Sequence, residues 1–194
     1  GYKDCLFAGK VDRQWVKYNG QKFYDMTNSI SHGLLKLGIK KGDRIALIAT
    51  NCPEWNMIDF AIQQVGAICI PIYPTISHDD YDYIFKHSET SLVFVINKHL
   101  YNKVSDIITS TPSIKDTYLI RASEGMKSLQ ELIELGNEYR DEAALEASKA
   151  EVKNEDVATI IYTSGTMGTP KGVMLTHRNI LSVVEYLCPL YPID

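Results

Sequence analysis

The sequence predicts an α/β protein: a doubly wound, mostly parallel sheet with helices on both faces. Three observations carry that expectation. Five short apolar runs, at residues 44–49, 67–72, 91–96, 117–120 and 158–163, start 23, 24, 26 and 41 residues apart. These runs are continuous rather than alternating, the pattern of strands buried on both faces. The intervals between them carry apolar residues at helical spacing and short links, which is the rhythm of strand–helix–strand units.

The elements follow in order. Residues 1–22 read as a lead-in segment, and residues 23–136 as the α/β unit itself. In "TNSISHGLLKLG" (27–38), Ile30, Leu34 and Leu37 share one side and Gly38 supplies a left-handed stop. After the first strand, "NCPEWNMIDFAIQQVG" (51–66) has Pro53 in its first turn, with Trp55, Ile58, Ile62 and Val65 on one face and Gly66 as its end. "SHDDYDYIFKHS" (77–88) opens on Ser77, with Asp80 three positions on, a variant of the capping box. "KHLYNKVSDIITS" (98–110) carries Leu100, Val104, Ile107 and Ile108, and Pro112 follows it. "MKSLQELIELGNEYR" (126–140) continues the alternation. Residues 137–156 turn acidic and alanine-rich and read as a surface helix with a frayed end, or a linker. Residues 157–194 then hold a strand, a glycine-rich loop, a second strand "VMLT" and a helix, an incomplete domain.

Composition narrows the function classes. The 194 residues are 45% apolar and 23% charged, with a net charge of −4, an ordinary soluble balance. No basic run stands out beyond Lys36, Lys40, Lys41 and Arg44, which read as the solvated end of a helix, so nucleic acid is not an expected partner. Cys5, Cys52, Cys69 and Cys188 show no paired metal-ligand spacing, and Cys69 reads as a small buried thiol. That cysteine usage fits a reduced, cytoplasmic protein. The five histidines are scattered, and no apolar stretch reaches the ~20 residues of a membrane span. The opening "GYKDC" has neither an initiator Met nor a signal pattern, as expected of a piece of something longer.

The chemical signal is "YTSGTMGTPKG" at 162–172. Gly165, Gly168 and Gly172 let the backbone turn sharply and present its N–H groups to one concavity, an anion nest. Thr163, Ser164, Thr166 and Thr169 offer hydroxyl donors, and Lys171 offers a full positive charge for a phosphate. A nucleophilic role for Ser164 is weaker, since no histidine or acid is spaced to activate it. The loop is not the GxxxxGK(S/T) element of nucleotide triphosphatases. Counted from Gly165, the sixth position is Pro170, and Lys171 is followed by Gly172 and a strand rather than by a hydroxyl and a helix.

These residues closely resemble the phosphate-loop signature of adenylate-forming enzymes, the group of acyl-CoA synthetases, firefly-type luciferases and peptide-synthetase adenylation domains. Thr163, Ser164, Gly165, Thr166, Gly168, Pro170, Lys171 and Gly172 match the signature in order, and Met167 departs from it, standing where a threonine or another small residue is more usual. From about Phe23 the chain is similar to the amino-terminal half of an acyl-CoA synthetase. "PIYPT" (71–75) is more similar to the long-chain fatty-acyl members than to adenylation domains.

The resemblance implies part of the large amino-terminal domain of a two-step, ATP-dependent ligase. A carboxylate, a fatty acid above all, attacks the α-phosphate of ATP and releases pyrophosphate. Coenzyme A then displaces AMP to give the thioester. Thr163 to Lys171 would hold the β- and γ-phosphates, with Thr163, Ser164, Gly165, Thr166, Gly168, Thr169 and Lys171 as the binding set. Thr166 and Lys171 would be the catalytic pair, and Thr166 would lie near Mg²⁺, whose second protein ligand is a glutamate beyond residue 194. The adenine pocket, the ribose-binding aspartate and the mobile carboxy-terminal domain would also lie beyond it. The rest of its own polypeptide is therefore an expected partner, and the class admits peripheral membrane contact. The 194-residue piece alone is expected to be inactive. The alternatives are an amino-acid or aryl-acid adenylating enzyme, a nucleotide-binding regulatory module without ligase activity, and a scaffold fragment. Outside the loop, His177 reads as helix-start packing, Trp55 and Tyr73 as core or interface residues, and Tyr81 and Tyr83 as half-buried rings with wet hydroxyls.

Overall fold

The structure, a computed structural model, describes residues 4–11, 14–163 and 169–190. Strands β1 (Phe7–Val11) and β2 (Gln14–Tyr18) form an antiparallel hairpin that leads into α1 (Gly20–Lys36). Then follow β3 (Arg44–Ile48), α2 (Pro53–Gln64), β4 (Ile68–Ile72), α3 (His78–Ser88), β5 (Leu92–Val95), α4 (Lys98–Ser110) and β6 (Asp116–Leu119). Helices α5 (Leu129–Glu138) and α6 (Glu142–Glu151) precede β7 (Val157–Thr163), β8 (Lys171–Thr176) and α7 (His177–Leu187).

The main sheet runs in the order β6-β5-β3-β4-β7-β8, parallel throughout except for β8, which is antiparallel to β7. The apolar runs explain why it is covered twice. Ile45 and Leu47 of β3 and Leu92 and Phe94 of β5 enter one core, with Ile30 and Leu34 of α1, Met57 and Ile62 of α2, and Leu132 of α5. Their neighbours Ala46, Ile48, Val93 and Val95 enter the other, with Ile84 and Phe85 of α3 and Val104 and Ile107 of α4. Alternate residues of one strand thus serve opposite faces, and both faces are dry. From β3 the chain steps to β4 over the first face; from β4 it crosses to β5 over the second. The crevice beyond the carboxyl ends of β3 and β4 is therefore the switch point where ligands bind in open α/β sheets.

Several local expectations change. Helix α1 begins seven residues before Thr27, because the Asn19 side chain accepts the Lys22 N–H at 2.8 Å and caps it there. The hairpin was not expected in the lead-in segment. Its inward residues Phe7 and Tyr18 are held against α1 and α2, with Phe7 stacked on Phe23 at 5.1 Å. Lys41 and Arg44 are not the solvated end of a helix. Lys41 pairs with Asp156 at 2.6 Å, and Arg44, on β3, bonds the Ser88 and Glu89 carbonyls and the Glu89 carboxylate. Gly38 and Gly66 do take positive φ at the ends of α1 and α2, as their positions require.

The hairpin, α2 and the chain just after β6 meet at a half-buried ion pair. Glu54 accepts two hydrogen bonds from Arg121, at 2.8 and 3.1 Å, and a third from the Tyr18 hydroxyl at 3.2 Å. Burial, the largest single influence, pushes the Glu54 pKa up, but the bonds from Arg121 and Tyr18 outweigh it and hold the carboxyl below its ordinary value. A depressed carboxyl pKa contributes stability that is complete above the unfolded value and lost as pH falls through the folded one. Glu54→Gln is thus expected to lower stability at pH 7 by about 2 kcal/mol, since Arg121 keeps partial access to water. The variant should also flatten the stability profile below pH ~4.5. Urea titrations of both proteins between pH 3 and 7 check both; a variant with the parent's acid slope contradicts the assignment.

Candidate functional site

Strand β7 ends at Thr163 and β8 begins at Lys171, and these two residues are paired across the hairpin. The glycine-rich loop is the connection between them, so it joins two antiparallel strands and does not open a helix. Thr163, Thr169 and Lys171 are all exposed. Ser164, Gly165, Thr166, Met167 and Gly168 lie outside the described residues. What the described residues bring together is a pair of hydroxyls and one ammonium at the two arms of the loop. That donor set fits an anionic phosphate group.

The place in the sheet matters as much. Because β7 runs parallel to β4 and beside it, the loop leaves at the carboxyl ends of the strands, next to the switch point. An open cavity of about 250 Å³ lies there, lined by Ala49 and Asn51 after β3, Trp55 on α2, and Ile72, Tyr73 and Ile76 around the end of β4. Ile84, Ile161 and Tyr162 complete it. A second, more polar cavity of about 380 Å³ lies between the hairpin and the start of α2, with Lys10, Asn51, Cys52, Asn56 and Arg121 in its wall. Both face the same end of the sheet.

Some assignments outside the loop change here. Tyr73 is not a core residue: it is 81% exposed and forms a rim of the apolar cavity. Tyr81 is not half-buried with a wet hydroxyl; it is buried and donates to the Tyr73 carbonyl at 3.0 Å, so it tethers that rim from α3. His177 does start α7, its N–H bonding the Asp156 carbonyl at 3.1 Å. Since β8 runs back along β7, His177 stands at the far end of the hairpin from the loop. Burial there holds its pKa below the ordinary value. Asp59 is a neighbour of His177, and burial pushes its carboxyl pKa up. Sequence reasoning passed over His87, whose Nδ1 lies 2.7 Å from the Tyr162 hydroxyl, immediately before the loop. A separation of 75 residues hid the pair, and no local motif signals it.

All four cysteines are free, and no helix among the described residues is long and apolar enough to cross a membrane. Helix α7 has a full capping box, Thr176 with Asn179, yet no buried residue. Its Leu181, Val183, Val184, Tyr186 and Leu187 are exposed, as are Val173 and Met174 of β8.

Comparison with known proteins agrees with this geometry. A family model described as AMP-binding enzyme matches residues 3–192. The long-chain-fatty-acid–CoA ligase FadD15 of Mycobacterium bovis is 33% identical over 180 residues, which are 93% of this chain and 30% of that protein. The long-chain-fatty-acid–CoA ligase ACSBG1 of Bos taurus is 31% identical over 191 residues, 95% of this chain and 26% of that one. The chain thus spans under a third of the length of these relatives. Among solved structures, the long-chain-fatty-acid-CoA ligase FadD1 of Archaeoglobus fulgidus superposes with a TM-score of 0.73 at 28% identity, covering 87% of this chain and 32% of that one. The anthranilate CoA ligase AuaEII, solved with anthranoyl-AMP, superposes with a TM-score of 0.76 over 88% of this chain and 32% of its own; at 22% identity it speaks to the fold. With the loop at the carboxyl ends of a doubly wound sheet and the family model matched over nearly its whole length, the chain belongs to the AMP-binding enzyme family.

Proposed function

We propose that this chain is the amino-terminal part of an ATP-dependent long-chain fatty-acid–CoA ligase. The observation that carries the reading is the eight-position match from Thr163 to Gly172, together with its arms, Thr163 and Lys171, facing each other beside the switch point. In this reading Thr163, Ser164, Gly165, Thr166, Gly168, Thr169 and Lys171 cradle the β- and γ-phosphates of ATP. Their hydroxyls, backbone N–H groups and single positive charge draw electron density toward the departing pyrophosphate. A carboxylate is a modest nucleophile, so easing that departure and aligning the reactants is what the protein can contribute. Mg²⁺, bound near Thr166, would supply further neutralisation of phosphate charge.

The apolar cavity beside the loop suits an aliphatic substrate better than a charged one. The exposed apolar residues of α7 and β8 suit a seat for the remaining polypeptide, which would bring the adenine, ribose and coenzyme A contacts. Four free cysteines suit a reducing, cytoplasmic setting.

The test is ATP–pyrophosphate exchange by the full-length polypeptide that contains this chain. Exchange stimulated by palmitate, and not by an aryl acid or free amino acids, is the expected result; stimulation by an aryl acid or amino acid alone overturns the substrate assignment. The 194-residue chain by itself is expected to form no acyl-CoA from palmitate, ATP and coenzyme A. Product clearly above a no-enzyme control would show that the chain carries a complete site.

A further inference from the structure

We propose that Tyr162, anchored by His87 and Tyr83, is a clamp that positions both arms of the phosphate loop. In the same proposal, the last glycine of the motif, Gly172, seats the Tyr162 ring and does not itself contact a ligand. Tyr162 is the penultimate residue of β7, and its direct partner across the hairpin is Gly172. A Cβ placed on Gly172 would come within 3.3 Å of the Tyr162 Cζ and 2.9 Å of the Ile160 Cγ2. The ring therefore lies over the bare backbone of β8, which is the outer strand of the sheet. An aromatic ring over a cross-strand glycine shields that backbone and supplies the side-chain packing the glycine lacks. By this contact one residue of β7 bears on the first turn of chain after Lys171.

The ring is fixed from the other side by α3. The Tyr162 hydroxyl and His87 Nδ1 are 2.7 Å apart, with the hydroxyl donating when that nitrogen is unprotonated and accepting when it is not. The His87 ring meets the Tyr162 ring edge to face at 5.8 Å, and Tyr83 meets it at 85° with centroids 6.5 Å apart. Tyr83 in turn stacks on His87 at 5.1 Å. Three rings thus hold one another, with only Tyr162 on the sheet. Since Tyr81 of the same helix tethers the Tyr73 carbonyl, α3 braces both the rim of the apolar cavity and the root of the loop. An edge hairpin with one parallel neighbour would otherwise be free to rock, and phosphate donors need placement within a fraction of an ångström.

The clamp stands on this geometry; only its consequence for nucleotide rests on the function proposed above. Amide hydrogen exchange on the 194-residue chain tests it with Tyr162→Phe, which removes one hydroxyl, and His87→Ala. Both should speed exchange at Thr163 and at Lys171 to Val173 by on the order of fivefold, the worth of one hydrogen bond, and leave β3 and β5 unchanged. Their combination should be no faster than either alone. His87→Asn, which keeps a polar atom near the place of Nδ1, should restore slow exchange. Unchanged exchange at the hairpin overturns the clamp, as does acceleration spread equally over β3 and β5, or additive effects. MgATP titrated into the full-length polypeptide that contains this chain is scored separately. If that polypeptide binds none while the exchange pattern holds, the phosphate-loop reading fails and the clamp stands.

Discussion

Gly136→Ala is expected to destabilise the chain by about 3 kcal/mol, although alanine is the better helix former by roughly 1 kcal/mol. The reason lies in the crossing of α1 and α5. A Cβ on Gly136 would sit 1.8 Å from the Ser29 carbonyl oxygen and 2.8 Å from the Gly33 nitrogen. On the facing helix, a Cβ on Gly33 would sit 2.6 Å from the Leu132 carbonyl oxygen. The obstructing atoms are backbone, so no rotamer change can relieve the overlap, and α5 must lift away from α1. Lifting it unpacks Leu132 and Ile133 from Ile30 and Leu34, which share one core, and strains the 2.6 Å bond between Ser29 Oγ and Asn137 Oδ1. Gly38→Ala is the control. That site has φ +80° and open space around it, so only backbone strain of about 1 kcal/mol applies. Urea midpoints of the three proteins decide the matter. If the Gly136 variant loses no more than the Gly38 variant, the close crossing is wrong.

That crossing also shows where sequence reading stops. The five apolar runs were legible because burial on both faces leaves no polar position in a central strand, as in Ile45 to Ile48. Helix ends set by one residue were legible too: Gly38, Gly66, Ser77 and Pro53 act through local backbone geometry. By contrast, Gly33 and Gly136 inside helices read only as propensity costs, because the reason for them sits a hundred residues away. The β1–β2 hairpin escaped notice for a related reason. It buries little beyond Phe7 and Tyr18, and its outer face carries Lys10, Trp15 and Lys17, so neither run is apolar enough to stand out. At the site, the loop stood out because the phosphate-binding role proposed for it needs glycines, hydroxyls and a lysine within a few consecutive residues. The α3 contacts beside the loop did not, since His87, Tyr83 and Tyr81 meet Tyr162 and Tyr73 only through the winding of the sheet.

The position of Lys171 makes its removal the sharpest probe of the chemistry. Its backbone is paired with Thr163 in the hairpin while its side chain is exposed, so Lys171→Ala should change stability by less than about 0.5 kcal/mol. Activity should respond very differently. On the function proposed above, kcat/KM for palmitate-dependent adenylation by the full-length polypeptide is expected to fall by about 10²-fold, the scale for losing one charged donor aimed at developing charge. The split between constants carries the argument. If the ammonium bound the phosphates of ATP equally before and during reaction, KM for ATP would rise and kcat would hold. Charge gathers on pyrophosphate as the bond to the α-phosphorus breaks, so the attraction strengthens toward the transition state, and kcat itself should fall. Lys171→Arg keeps the charge but presents it as a planar fork, and should recover only part of the rate. A Lys171→Ala enzyme within threefold of the parent kcat/KM, measured by pyrophosphate exchange at sub-saturating ATP, would remove this lysine from the phosphate site. A fall in KM-limited rate alone would instead make it an anchor for ATP, with the leaving-group charge met by other donors of the loop.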